Sequence, residues 1–219
     1  MPSTADQTLW LLITSAEALV VYLFIIQGLF RKFLLFNSYL LLSVAISIFR
    51  CFVLYRFGFS SPEYIYIYFC TDALLTLFLF LSIFELSMRL VGTRMPRRRV
   101  VSLSAAALLA TAWFSYLVVS AGSHRLITHF AFEFSQNTYF LCCLAVVLLW
   151  VWKARNDPED WLAARFVNVL TVYLSLFFLG YGVGQLAPHL ASVNNLHQMA
   201  GAWLPVGCGF ALVSYEPPR

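Results

Sequence analysis

The chain has 219 residues, of which 61% are hydrophobic, 17% aromatic and only 11% charged. A soluble globular domain is nearer half apolar and a quarter charged, so 14 basic and 10 acidic side chains cannot coat a chain of this size with water-facing charge. The composition excludes a water-soluble enzyme, a disordered chain and a nucleic-acid-binding protein, and leaves a protein whose solvent is lipid.

A helix needs about 20 apolar residues to cross roughly 30 Å of hydrocarbon. Seven such runs occur in order: Thr8–Phe30, Phe33–Phe57, Glu63–Val91, Arg99–Ala121, Leu126–Trp152, Trp161–Pro188 and Ser192–Val213. They are continuous rather than alternating, which disfavours a β-barrel. The connectors are punctuated by Ser60-Ser61-Pro62, Gly92 to Pro96, Gly122-Ser123, Asn156-Asp157-Pro158 and Pro188 to Asn195. None is long enough to hold an extramembrane domain. The predicted fold is all-α, a single seven-helix transmembrane domain over residues 1–219.

The first run has no basic residue before it, is too long for a signal-peptide core and is followed by no small-x-small site, so it reads as an uncleaved span. It carries Glu17, nine residues from its start. The second and third runs flank a turn centred near Ser61, and Arg50 and Asp72 each lie 11 residues from it. In an antiparallel hairpin that symmetry puts the two at one depth. A lone charge there costs a few kcal/mol, and a guanidinium facing a carboxylate offsets much of that. Arg50 and Asp72 are therefore predicted to pair. Glu85 and Arg89, four apart, form a second expected pair near the other membrane face.

The fourth run has no charge between Arg99 and Arg125 and reads as lipid-facing. In the fifth, His129 and Glu133 are four apart and share a helix face. The sixth places Gly180 and Gly184 at the small-xxx-small spacing of close helix contacts. Pro205, with Gly201, Gly207 and Gly209, makes the seventh the most breakable span. The five cysteines lie inside spans and read as small core residues rather than a disulfide framework.

Orientation follows from the basic residues. Arg31, Lys32, Arg89, Arg94, Arg97, Arg98, Arg99, Lys153, Arg155, Arg165 and Arg219 fall on one side; Arg50, Arg56 and Arg125 fall on the other. The basic side is expected in the cytoplasm, with the N-terminus outside, the C-terminus inside and the chain in the cytoplasmic membrane. Arg94-Met95-Pro96-Arg97-Arg98-Arg99 then reads as a topology determinant touching lipid phosphates.

By depth, at about 1.5 Å per residue, Glu17, Arg50, Asp72 and Glu133 fall in one layer roughly 10–15 Å below the outer surface. With His129 they are the candidate ligand- or ion-binding residues. Three carboxylates against one Arg leave surplus acid, so at least one carboxylate is expected to be protonated or bound elsewhere. His129 and Glu133 with His189 or His197 are weak candidate metal ligands, and two of the histidines are the candidate haem ligands. No recognised motif accompanies either option. No cofactor is predicted.

Several seven-helix families are excluded by missing residues. Rhodopsins bind retinal through a lysine in helix seven, whereas the only lysines here, Lys32 and Lys153, lie in connectors. Glu85-Leu86-Ser87-Met88-Arg89 replaces the Asp-Arg-Tyr of G-protein-coupled receptors, and helix seven lacks Asn-Pro-x-x-Tyr. Sugar transporters of three plus one plus three helices carry prolines inside repeat helices, absent here from helices one to five. Seven-span zinc hydrolases need a helix-two histidine that is not present.

The topology resembles the stand-alone form of the seven-helix membrane module that precedes histidine kinase or cyclase domains in bacterial sensors. The run Leu79-Phe80-Leu81-Ser82-Ile83-Phe84-Glu85-Leu86 also resembles a helix-three segment of small uncharacterised bacterial seven-span proteins. The resemblance implies a sensor-like or accessory membrane protein and assigns no site residue. The expected function is binding of a small ligand, ion or partner through the outer polar layer, with a small-solute or proton-coupled transporter as the alternative. No nucleophile–base set is visible, so no enzyme is expected. The expected partners are the bilayer and a membrane protein or second copy, with no nucleic acid.

Overall fold

The structure is a computed structural model describing residues 4–92, 95–121, 126–156, 158, 160–186 and 192–215. Side chains are described within 7–92, 95–121, 128–156, 158, 160–180 and 199–215. Among these residues there are seven helices and no strand: α1 (Thr4–Ile26), α2 (Leu34–Phe57), α3 (Pro62–Leu90), α4 (Arg97–Ser120), α5 (Leu126–Arg155), α6 (Trp161–Leu186) and α7 (Ser192–Val213). Six are long and apolar enough to cross a membrane, and α7 carries a shorter apolar stretch, Met199–Val213.

The helix ends follow local chemistry. Ser61 caps α3, its hydroxyl accepting the Tyr64 N–H at 3.1 Å, and Pro62 follows where its missing N–H costs nothing. Gly58 ends α2 at φ 84°, a left-handed conformation natural to glycine. The first apolar run extends to Phe30, but α1 stops at Ile26 because Gly28, at φ 67°, reverses the chain. Leu29 and Phe33 keep the apolar pattern going by turning into the core rather than by extending the helix.

Helices α1, α2, α3, α5, α6 and α7 form a closed ring in that order, α7 returning to pack on α1; α3 also reaches across to α6. α4 lies outside the ring against α5 and α3. The ring is filled by apolar side chains. Phe24, Phe33, Phe36 and Phe166, all fully buried, bring α1, the α1–α2 connector, α2 and α6 into one aromatic cluster, with Phe36 and Phe166 stacked at 4.9 Å. The outside is apolar as well: Leu109, Phe210 and Val213 are at least 70% exposed. Exposed apolar area on every side with scarce, buried polar groups reverses the soluble pattern and fits a membrane-embedded, multi-pass protein. Proline does not break α7; Pro205 sits inside it, buried.

Candidate functional site

Arg50 of α2 and Asp72 of α3 approach to 3.8 Å, both side chains about one-fifth exposed. The guanidinium is held mostly by other groups. Its Nε donates to Thr71 Oγ1 at 2.8 Å, an NH2 donates to the Tyr68 carbonyl at 2.9 Å, and its plane lies 4.2 Å from the Tyr68 ring centre. Asp72 in turn lies near the Ser135 hydroxyl of α5. The charges are thus built into an α2–α3–α5 junction rather than into an isolated pair.

The single-layer expectation needs correction. Glu17 is 6% exposed and accepts a hydrogen bond from the Ser43 hydroxyl at 2.9 Å. Ser43 lies seven residues before Arg50 on α2, about 10 Å along the helix axis. Glu17 is therefore deeper than the Arg50–Asp72 level, near the middle of α2. The depth count failed because α1 starts at Thr4, not Thr8, and the helices do not begin at a common level.

At that depth lies a group that charge counting missed. Tyr39, Tyr139 and Tyr173, from α2, α5 and α6, converge at the bundle centre; Tyr39 and Tyr173 are 5% and 8% exposed. Tyr39 and Tyr173 meet through their hydroxyls within electrostatic range of Glu17, while Tyr139, hydrogen-bonded to Thr76, and Tyr173 lie within electrostatic range of Asp72. Cys208 of α7, fully buried, also faces Glu17. Tyrosine in an apolar run reads as a packing residue, so only its interhelical position reveals the cluster.

Toward the α2–α3 turn, a cleft of about 660 Å³ opens between α3 and α5. Ile65, Tyr66 and Phe69 face Thr128, His129 and Phe132 across it. Phe69 and Phe132 meet edge to face at 5.3 Å and floor it, one turn of α3 above Asp72. His129 is exposed at its rim, and Glu133, half-buried one turn further along α5, makes no ion pair among the described residues. His189 and the side chain of His197 lie outside the described residues. Among those described, no three His, Cys, Asp or Glu side chains are grouped closely enough to hold a metal.

A second charged assembly lies at the opposite end of the bundle. Asp160 caps α6 by accepting the Ala163 N–H at 3.2 Å, and its other oxygen meets Lys32 at 3.1 Å and Arg89 at 3.6 Å. Arg89 also pairs with Glu85 at 3.8 Å, as the four-residue spacing predicts, and lies over the Phe33 ring. Glu85 accepts the Phe36 N–H at 3.0 Å, so a side chain from α3 caps α2. Lys32, Arg89, Glu85 and Asp160 tie the α1–α2 connector, α2, α3 and α6 together. Sequence spacing exposed only the Glu85–Arg89 link; the others join residues far apart in the chain.

No protein family matches the chain, and no curated protein or solved structure is significantly similar to it.

Proposed function

We propose that this is a seven-span protein of the cytoplasmic membrane, N-terminus outside and C-terminus inside, acting as a sensor-like or accessory protein. Its ligand enters the α3–α5 cleft from the outer side and is read by the Arg50–Asp72 junction beneath it. The reading gives the chain a binding role, with no catalysis and no resident cofactor, and leaves α4 available to a membrane partner or a second copy. The observation that carries it is the position of the cleft: its aromatic floor lies about one helical turn below exposed His129 and one turn above the half-buried charge pair.

Aromatic walls with a polar rim suit a small aromatic or amphiphilic molecule. A panel of aromatic acids, amines and phenols, scanned by thermal unfolding of the detergent-solubilised protein, tests this. A compound that stabilises the wild type and loses its effect in both Phe69→Ala and His129→Ala supports the cleft. Stabilisation that survives both substitutions, or none across the panel, rejects it. The transporter alternative draws support from one observation, the Glu17–tyrosine group, which carries polarity to mid-bundle; it would appear as solute or proton flux in reconstituted vesicles.

A further inference from the structure

Glu17 stands apart from the other buried acids. Asp72 has Arg50, and Glu85 has Arg89 and a helix N-terminus. Glu17 has no cation within ion-pair distance among the described residues. α1 packs on α2 and α7, and the titratable groups these helices and α6 turn toward Glu17 are Tyr39, Cys208 and Tyr173. All three are neutral donors, and Glu17 accepts a hydrogen bond from the neutral Ser43 hydroxyl.

Neutral hydrogen bonds do not offset the desolvation of a full charge in an apolar interior. A proton on the carboxyl does. The surroundings also supply a way in. Tyr173 lies within electrostatic range of both Glu17 and Asp72, Tyr139 within range of Asp72 and Tyr173, and Asp72 meets the partly exposed Arg50 at 3.8 Å. Hydroxyls both donate and accept, so these groups mark the polar path between the cleft end of the bundle and its middle.

We propose that Glu17 is a proton-binding site, reached from the Asp72 end through Tyr139 and Tyr173. Uptake forms one O–H bond on the Glu17 carboxyl and changes no other covalent bond; release returns the proton along the same groups to water. Loss of that proton would put an uncompensated charge where α1 meets α2 and α7. The proposal deepens the binding reading above by naming the species exchanged at mid-bundle, but its test needs no cleft ligand.

The test is infrared difference spectroscopy of the full-length protein in phospholipid nanodiscs across a pH series, in H2O and D2O, with potassium or sodium as the only salt cation. The expected result is a protonated-carboxyl C=O band near neutral pH that shifts in D2O, disappears in Glu17→Gln and remains in Asp72→Asn. Should Glu17→Gln fail to fold, Glu17→Asp serves, with the band displaced rather than lost. Tyr173→Phe should keep the band and slow its exchange with D2O several-fold. A missing band, or one unmoved by substitution at Glu17, overturns the site; a band that vanishes in sodium assigns it to a metal cation instead; unchanged exchange in Tyr173→Phe overturns the route. A cleft that binds nothing in the thermal scan leaves all of these readings intact.

Discussion

Single side chains here are held by many weak partners rather than by one strong one. Arg50 illustrates this: its carboxylate partner is at 3.8 Å, while a hydroxyl, a carbonyl and a ring are closer or comparable. The direct Arg50–Asp72 term should accordingly be modest. A double-mutant cycle with Arg50→Gln and Asp72→Asn, followed by reversible unfolding in mixed micelles, is expected to give a coupling of about 1 kcal/mol or less. A coupling several times larger would show that the pair carries the junction alone. This pair was legible in the sequence because a hairpin fixes which residues lie opposite each other. Glu17 was legible as a buried acid but not at its depth, since nothing local states where α1 begins relative to α2. Tyr39, Tyr139 and Tyr173 were not legible at all: in a chain with 11 tyrosines, only the packing of α2, α5 and α6 distinguishes these from interfacial ones.

Between α6 and α7 the helices approach closely at Gly207. A methyl group built on Gly207 would lie 2.8 Å and 3.1 Å from the two methyls of Val169, whose branched side chain has little freedom to move. Gly207→Ala should therefore destabilise the protein by about 1–3 kcal/mol through overpacking, read as a lower unfolding midpoint. Val169→Ala in the same background should recover part of the loss. The small-residue composition of α7 was visible in sequence and read there as breakability. The structure gives it another use, since α7 continues through Pro205 and its glycine serves close approach. Element boundaries were legible to within a few residues wherever a cap marked them, as at Ser61. They were misread at Gly28, where the apolar run continues past the helix end because the connector itself is buried.

For the whole molecule, the all-helical class and the six long apolar helices were legible because lipid imposes a simple length and composition rule. The ring order was not, because connector length does not say which helices meet across the centre. Orientation belongs to this scale. Arg97, Arg98 and Arg99 are exposed at the start of α4, free to act as a topology signal. In the proposed orientation, reporters fused to the C-terminus should be active inside the cell, and replacing all three arginines by glutamate should send a measurable fraction of α4 across the wrong way. Unchanged reporter activity in that variant would show that other charges hold the orientation.

The closure of the ring between α1 and α7 has a consequence for synthesis. α1 must wait for α7, made well after it, before its neighbours are complete, because Glu17 lies near Cys208 as well as Ser43 of α2. Until α7 leaves the ribosome, one side of α1 presents a carboxyl to lipid or to the insertion machinery. Assembly of this part of the bundle then waits for α7, and a chain that loses α7 is left with an acid inside its helices without one side of its cover.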